Sequence, residues 1–283
     1  MYICGQTELK EKIIRLSDSG SFPKFSIICG ERGHGKKVMS EYISHKLGAT
    51  FTPCKSDIAS VRSTIAESYM VADTTLYMFF DCDEMSVGAK NALLKITEDP
   101  PTNAYFIMTV CDIETILPTL ISRGVLFHLD PYSVSDIDDF IKEREFGFTE
   151  NEKAILRYIC TCPNDVVTAS KCSISSIYDL SDRFIQFIGA SNLSNELKIS
   201  QQLNLKKDAD ETLIDPIMFL RCVLLCSNEY MIGDCTKEDA VIFDKIIRHT
   251  AKAVVDISRK GSIKQIVLDN YIINLHLAIA GGI

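Results

Sequence analysis

Apolar residues in the first half of the chain fall into short continuous runs, separated by stretches with helical spacing. A short continuous apolar run bounded by polar residues is typical of a strand that is buried on both faces. The predicted strands cover residues 24–29, 76–80, 104–110 and 124–129. The predicted helices between them cover residues 36–47, 61–69 and 89–96. Strands that alternate with helices in this way indicate βαβ units and a parallel sheet.

The pattern changes after Pro131, where helical spacing continues and no strand pattern is found. The first two predicted helices of this part begin at N-cap candidates, Ser133 or Ser135 for one and Thr149 for the other. The predicted helices cover residues 133–145, 150–160, 177–187, 217–226, 240–257 and 266–280. The sequence thus predicts an α/β domain, a small helical module and a larger all-helical domain, at residues 1–131, 132–175 and 176–283.

The eight residues from Gly30, GERGHGKK, fit the phosphate-binding loop G-x-x-x-x-G-K-[ST] at every defined position except the last. The loop lies between a predicted strand and a predicted helix, so its backbone N–H groups and the helix N-terminus can surround phosphate oxygens. Gly30, Gly33 and Gly35 permit close approach of the backbone. Lys36 would contact the β- and γ-phosphates, whereas Lys37 stands where a hydroxyl would reach magnesium. The pattern indicates a P-loop fold and leaves open whether nucleotide binds.

The amino-acid composition and the net charge argue against several classes of protein. A hydrophobic fraction of 46% argues against disorder, and no apolar run is long enough to span a bilayer. The first residues lack the apolar core of a signal peptide, so a soluble cytoplasmic protein with no membrane partner is expected. The net charge of −8 disfavours a chain that grips nucleic acid by itself through a broad basic face, but it is compatible with one subunit of an assembly.

The eleven cysteines do not form a metal-site pattern. None of them form a C-x-x-C pair, whereas tetrahedral zinc sites usually use two such close pairs. Cys29, Cys222 and Cys226 lie in apolar runs, where buried thiols are common. We therefore expect structural cysteines in a reducing compartment, no metal ligands and no zinc.

Three further segments carry a family resemblance. Residues 91–101 (NALLKITEDPP) are followed by a predicted strand and then by residues 119–123 (TLISR), and this order closely resembles the clamp-loader family of AAA+ ATPases. Residues 3–6 (ICGQ) are similar to the family's Gly-Gln start. The resemblance is strong over residues 1–131 and rests on helix pattern alone beyond them. It implies an AAA+ P-loop domain with a parallel sheet, then a helical lid and an all-α collar domain for oligomerisation.

The chain departs from the family's catalytic pattern. ATPases of the family carry an Asp-Glu pair after a core strand, in which the Asp binds magnesium and the Glu activates water. Counted back from Asn91 without a gap, Phe80 and Asp81 occupy the two positions. Shifted by one residue, the positions are occupied by Asp81 and Cys82. Asp81 is thus the candidate for the magnesium side of the nucleotide site, and neither register supplies both carboxylates.

Two other positions indicate the same loss. The family's polar nucleotide-sensing residue, at the end of the strand 104–110, would be Val110 or Cys111 here. The Arg of the lid motif falls near Asp165, whose charge would repel phosphate. Together with Lys37, these departures predict that any ATP binding is weak and that the chain's own ATPase activity is weak or absent.

The arginine finger of the family is retained. By resemblance, the Ser122-Arg123 pair supplies an arginine that reaches the γ-phosphate bound by the neighbouring subunit, so Arg123 is the candidate catalytic residue in trans, with Ser122. The alternative interpretation of Arg123 is an ordinary surface ion pair. Gly124 replaces the Cys that usually follows. The four-cysteine zinc module of many relatives is missing, because Cys54 is the only cysteine in the corresponding segment.

The resemblance implies a subunit of a hetero-oligomeric clamp-loader ring that does not itself hydrolyse ATP. Its partners would be the other ring subunits, the sliding clamp and, through the assembly, primed DNA. It would serve as a scaffold and as an activator in trans, with no polymerase chemistry of its own. Two alternatives are an active clamp-loader ATPase subunit and a stand-alone AAA+ ATPase in DNA repair or phage replication.

Overall fold

The computed structural model of the chain separates into two compact units. The first unit runs to Phe140 and includes Cys162–Asn164, and the second comprises Ile141–Thr161 and the residues from Asp165 onward. The structure describes residues 2–188, 193–203, 214–233, 235–259 and 261–280. The predicted division into three parts, with boundaries after residues 131 and 175, stays a prediction.

The first unit is built on a five-stranded sheet whose neighbouring strands are all parallel. The strands are β1 Phe25–Cys29, β2 Thr50–Cys54, β3 Thr75–Phe79, β4 Ala104–Val110 and β5 Val125–His128. Their order across the sheet is β2-β3-β4-β1-β5. The parallel α/β fold predicted from the sequence is therefore confirmed, and β1 lies between β4 and β5.

Strand β2 was not predicted from the hydrophobic pattern. It pairs only with β3, at one edge of the sheet, with Thr50 opposite Thr75. Its residues are exposed or half-buried, whereas every residue of β1 and β3 is buried. Edge strands tolerate a proline such as Pro53, because the missing N–H faces away from the ladder. An edge strand therefore lacks the continuous apolar run that identified the central strands.

The two faces of the sheet are covered by different helices, because side chains alternate along each strand. Ile27 and Phe79 pack on one face with α3 and α4, and Ile28 and Met78 pack on the other with α1 and α2. Both clusters are buried and apolar, so the sheet is a two-sided core. The helices are α1 Thr7–Asp18, α2 Lys36–Lys46, α3 Ile58–Ser68, α4 Val87–Glu98, α5 Pro118–Ile121 and α6 Val134–Glu143.

The described residues of the second unit form helices joined by turns, and no strand is found among them. Phe184 contacts both Phe219 and Tyr271 in its core, with ring centroids 5.6 and 6.1 Å apart. Its helices, of which α8 begins in the first unit, are α7 Glu150–Ile159, α8 Pro163–Ala169, α9 Ile174–Phe187, α10 Leu193–Gln202, α11 Pro216–Ile232, α12 Lys237–Ser258 and α13 Lys264–Ala280. Thr149 caps α7 in a capping box with Glu152, as its position in the sequence predicted. Helices α1, α8 and α10 were not predicted.

A partly buried ion pair joins two distant parts of the second unit. The Nη1 atom of Arg221 lies 2.6 Å from Oδ2 of Asp165 and also donates to the carbonyl oxygen of Ile159. The backbone and hydroxyl of Thr161 donate to the same carboxylate oxygen, at 2.8 and 2.9 Å. Burial disfavours the charged carboxylate, but Arg221 and these hydrogen bonds outweigh it and hold the pKa of Asp165 below its ordinary value.

We expect the substitution Arg221→Met to lower the free energy of unfolding of the second unit by about 3 kcal/mol near neutral pH, because it leaves a buried charge without its partner. The measurement is urea unfolding followed by circular dichroism. The control is Arg248→Met, whose pair with Asp244 is exposed and should be worth at most about 1 kcal/mol.

The same pair predicts a pH dependence. The folded-state pKa of Asp165 is lowered, so its stabilisation is complete above the unfolded pKa of about 3.9 and is lost as the pH falls through the folded value. The difference between wild type and Arg221→Met should shrink below about pH 4. Equal losses of stability for Arg221→Met and Arg248→Met at neutral pH would contradict this account.

Candidate nucleotide-binding site

The glycine loop connects the carboxyl end of β1 to the N-terminus of α2. The backbone N–H of Gly30 donates to the carbonyl of Val110 at 3.1 Å, which ties the start of the loop to the end of β4. Gly33 and Gly35 have φ values of 81° and 80°, and Gly35 is the N-cap of α2. This left-handed backbone favours glycine, and it turns the chain so that the first N–H groups of α2 face the end of the sheet. The geometry is that of an anion-binding loop.

Two of the glycines are also required by close packing. A Cβ atom on Gly30 would lie 2.9 Å from Cβ of Leu129, and one on Gly33 would lie 2.8 Å from Sγ of Cys162. Contacts of this length do not occur between real side chains, so both positions exclude any larger residue. Residues after β5 and at Cys162–Asn164 therefore fix the path of the loop.

Lys36 is folded onto its own loop. Its Nζ atom donates to the carbonyl oxygens of Gly30 and Glu31, the latter at 2.9 Å, and lies 3.2 Å from Sγ of Cys111. Val110 is fully buried, so Cys111 is the residue at the sensing position whose side chain reaches the loop. A bound phosphate would have to replace these contacts of the ammonium group.

Lys37 points away from the loop along the surface of α2. Its side chain is 63% exposed, and its Nζ atom lies 3.8 Å from Oε1 of Glu41, one helical turn later. Lysine carries no hydroxyl, and its charge repels a divalent cation. The side chain at this position therefore offers nothing that would hold magnesium beside a nucleotide.

The acidic segment after β3 is only partly available to a nucleotide. Asp81 has a left-handed backbone, with φ 46°, and its N–H donates to Oγ1 of Thr109 at 3.2 Å. Cys82 is completely buried in the core between the sheet, α3 and α4. Glu84 pairs at 3.6 Å with Arg32 of the glycine loop. Thus the second register, which places Cys82 at the water-activating position, puts a core side chain there.

Asp83 has a role that the sequence did not indicate. Its carboxylate accepts the backbone N–H of Cys111 at 2.9 Å and that of Asp112 at 2.8 Å. The buried Nζ atom of Lys90 donates to the carbonyl oxygens of Asp83 and Thr115, at 3.2 and 2.7 Å. These bonds join the turn after β3 to the turn after β4, and they use both oxygens of the carboxylate. Asp83 therefore holds Cys111 beside the loop and is not free to activate water.

The surroundings of Asp81 are acidic. Asp81 lines a cleft of about 620 Å³ together with Asp57 and Glu84, and with the hydroxyl-bearing Ser56 and Ser86. Clustered carboxylates repel the phosphates of a nucleotide when no metal ion lies between them. Among the described residues, no group of three or more His, Cys, Asp and Glu side chains could hold a metal ion.

The Gly-Gln start has a structural function beside the loop. The side chain of Gln6 donates to the carbonyl of Asp130 at 2.7 Å and accepts its N–H at 3.0 Å, so it pairs with the backbone after β5 as another strand would. Tyr132, two residues later, donates its hydroxyl to the carbonyl of His34 in the loop at 2.9 Å. Burial raises the pKa of Tyr132, so this hydroxyl stays protonated and the contact persists.

Arg123 and the glycine loop lie at opposite ends of the strands. Arg123 is near the amino ends, whereas the loop follows the carboxyl end of β1. Arg123 precedes β5, whose first residue, Val125, is opposite Ser26 near the start of β1. The length of β1, about 15 Å, therefore separates Arg123 from its own loop. Its Nη2 atom lies 3.3 Å from Oε1 of Glu98, and its Nη1 atom donates to the carbonyl of Thr119 at 3.0 Å. The surface ion pair of the alternative interpretation thus exists, between side chains 39% and 62% exposed.

The packing around Arg123 explains why Gly124 replaces the family's cysteine. A Cβ atom at Gly124 would lie 2.9 Å from the ring of Phe25. The aromatic ring at the start of β1 occupies the space that a cysteine side chain would need. Ser122 forms the end of α5, and its hydroxyl donates to the carbonyl of Thr119 at 3.2 Å. The Ser-Arg turn is therefore supported by the core on one side and open to the surface on the other.

The predicted site residues fall into two groups. The first group is the glycine loop, which contains Gly30, Gly33, Gly35 and Lys36 and ends at Lys37. Asp81 belongs to the same end of the sheet, in the turn after β3, which is two strands away from β1. Ser122 and Arg123 are apart from them. Asp165, which was predicted to repel phosphate from the lid, is instead neutralised by Arg221, so it does not present an uncompensated charge.

No helix in the described part of the chain is long and apolar enough to cross a membrane.

Comparison with known sequences agrees with the resemblance seen in the motifs. The family model described as "DNA polymerase III, delta subunit" matches residues 14–133. DNA polymerase III subunit gamma of Buchnera aphidicola subsp. Schizaphis graminum is 27% identical over 186 residues, which cover 54% of this chain and 51% of the relative. DNA polymerase III subunit delta' of Buchnera aphidicola subsp. Baizongia pistaciae is 25% identical over 162 residues, covering 56% and 47%. The chain spans about half the length of the curated relatives it matches.

Solved structures agree at the level of the fold. A DNA polymerase III gamma subunit-related protein from Thermotoga maritima superposes with a TM-score of 0.51 at 15% identity, covering 94% of this chain and 98% of that one. The RuvB Holliday junction branch migration motor of the same organism gives 0.51 at 15% identity, covering 85% and 82%. Taken with the glycine loop and the five parallel strands, the sequence matches show a likeness to clamp-loader subunits of DNA polymerase III, which the family model places at residues 14–133.

Proposed function

We propose that the chain is a clamp-loader subunit of the delta-prime type in a DNA polymerase III assembly. It would occupy one place in a hetero-oligomeric ring in the cytoplasm and help to place the sliding clamp on primed DNA. The observation that carries the proposal is the state of the segment Asp81–Glu84. Cys82 is buried in the core and the Asp83 carboxylate accepts the backbone N–H groups of Cys111 and Asp112, so in neither register does this segment supply the Asp-Glu pair of the family's ATPases.

The rest of the site supports the same proposal. Lys37 offers no hydroxyl to magnesium, and Cys111 takes the place of a polar sensing residue against Lys36. The loop itself keeps its shape, because its glycines are needed for packing against Leu129 and Cys162 whether or not nucleotide binds. A site with an intact scaffold and altered chemistry fits a subunit that is kept in the ring for structural reasons.

The main alternative is an active ATPase subunit of the gamma type. It is favoured by the complete Gly30-to-Lys36 pattern, and the curated relatives include subunits of both names. A stand-alone AAA+ ATPase in DNA repair or phage replication is the other alternative, and the likeness to RuvB is a likeness of fold alone. Nucleotide turnover separates the first alternative from the proposal, and co-purification with clamp-loader subunits separates the second.

Arg123 would act on the nucleotide of a neighbour. Its distance from its own glycine loop rules out a role there, and its guanidinium is at the surface. The ion pair with Glu98 does not prevent such a role, because exposed pairs are worth only about 0–1 kcal/mol and exchange readily. The planar guanidinium group of an arginine can donate two parallel hydrogen bonds to the oxygens of a phosphate.

We expect the purified chain to hydrolyse ATP no faster than the buffer background, because the segment Asp81–Glu84 lacks the Asp-Glu pair and Lys37 replaces the hydroxyl that would hold magnesium. The measurement is phosphate release with and without DNA. Lys36→Ala should leave this background unchanged, and Lys37→Ser alone should not create activity. Turnover that Lys36→Ala abolishes would favour the gamma-type alternative.

Any binding of ATP should be weak and nearly independent of magnesium, since Lys37 replaces the hydroxyl ligand. Isothermal titration calorimetry with magnesium and with EDTA tests this. Lys36→Ala is the matched variant. It should remove the remaining binding, because the ammonium group of Lys36 lies within the loop, where it donates to the carbonyls of Gly30 and Glu31. Tight binding that disappears in EDTA would show that this account of Lys37 is wrong.

Arg123→Ala should leave ring assembly intact and lower the clamp-stimulated ATPase activity of the partner subunits. Arginine fingers are worth roughly 10³–10⁵ in rate at the site they serve, and the summed activity falls by the share of that one site. Arg123→Lys should restore little, because a point charge does not reproduce the fork.

The control for Arg123 is Arg62→Ala, which removes an exposed arginine from α3 in the same unit. Size-exclusion chromatography verifies assembly, and phosphate release and clamp loading are then compared. A ring that contains Arg123→Ala and keeps full partner activity would reduce Arg123 to an ordinary surface charge.

A further inference from the structure

The charge of the second unit is unevenly distributed. Residues 245–264 (KIIRHTAKAVVDISRKGSIK) contain six Lys or Arg residues and one acidic residue, in a chain whose net charge is −8. This segment covers the second half of α12 and the turn into α13. The acidic total of the chain therefore conceals a local basic surface.

The basic segment forms one wall of a cleft between α12 and α13. The cleft has a volume of about 980 Å³, and its lining includes Arg248, His249, Lys252, Arg259, Asn270 and Asn274. From position 248 to position 259 the helix rises about 16 Å, so the cations are arranged as a row along the cleft. Ser262 and Val267, in the turn into α13 and in its first turn, line the end of the cleft where α12 ends.

The cations of the row are available to a ligand. Arg248 pairs with Asp244 and Arg259 pairs with Asp256, but both guanidinium groups are more than 70% exposed, so these pairs exchange readily. Lys252 is exposed, and it forms no ion pair with any described residue. In contrast, Lys245 donates to a carbonyl at the end of α13. The lining thus contains three Lys or Arg side chains and one carboxylate, that of Asp256, so the cleft presents a net positive charge.

We propose that this cleft, which we name the α12–α13 cleft, binds the phosphodiester backbone of DNA. This rests on the proposed function in one respect, since that role brings primed DNA to the assembly. Lys and Arg side chains in a row, with asparagine amides between them, suit regularly spaced phosphates. An acidic peptide would be held in part by apolar anchors, and of the lining side chains only Ala253, Val267 and Tyr271 are apolar or aromatic. No sequence preference is expected, because nothing in the cleft reads base edges.

The test is fluorescence anisotropy with the full-length chain and labelled oligonucleotides, as a single strand, a duplex and a primed junction, over a range of NaCl concentrations. The double variant Arg248→Ala/Lys252→Ala should weaken binding about tenfold in low salt and reduce the salt slope by about 1.4, since each lost phosphate contact removes about 0.7 for a single strand. The three oligonucleotides distinguish a single-strand ligand from a duplex.

The control is Lys198→Ala/Lys237→Ala, which removes two exposed cations of the same unit outside the cleft. It should bind DNA as the wild type does, and Arg248→Lys/Lys252→Arg should retain binding. Equal affinities of the wild type and the Arg248→Ala/Lys252→Ala variant, or equal binding of polyglutamate and DNA of the same charge, would overturn the proposal. Because the assay uses the isolated chain and no ATP, its result is independent of the ring-assembly and ATPase tests.

Discussion

Parallel pairing of β1 with β4 and β5 is the constraint on which the rest of the first unit depends. Together with the parallel pairing of β3 with β4, it brings the carboxyl ends of these strands to one end of the sheet, where the glycine loop, the turn of Asp83 and the side chain of Cys111 meet. It also places the amino end of β5, and Arg123 just before it, at the opposite end of the sheet. Parallel pairing therefore separates the glycine loop from Arg123 within one chain.

Near the glycine loop, charged side chains stabilise the backbone of the turns that follow the strands. Asp83 is held by two backbone N–H groups, and Lys90, almost fully buried, is held by two carbonyls. Buried polar groups are costly when unpaired, so such a network tends to be kept even when catalysis is lost. The loop glycines are fixed by steric fit for a similar reason. The shape of the loop is thus maintained by contacts that belong to the fold and do not depend on nucleotide.

Much of this could be read from the sequence, because buried strands produce continuous apolar runs and the glycine loop has a fixed spacing. Strand β2 could not, because an edge strand with Pro53 carries no such run. The roles of Asp83 and Asp165 depend on Cys111 and Arg221, which are 28 and 56 residues away along the chain, and local pattern carries no information about such partners. The basic row of α12 was missed because the net charge was read for the chain as a whole.

Gly124 and Phe25 share a single volume beneath the Ser-Arg turn. The two positions are therefore expected to change together in evolution, since a larger residue at one requires a smaller one at the other. The ring of Phe25 at the start of β1 then has a second effect, because it determines how far the backbone of Arg123 lies from the sheet. Substitution at the buried position of Phe25 can in this way move Arg123 at the surface.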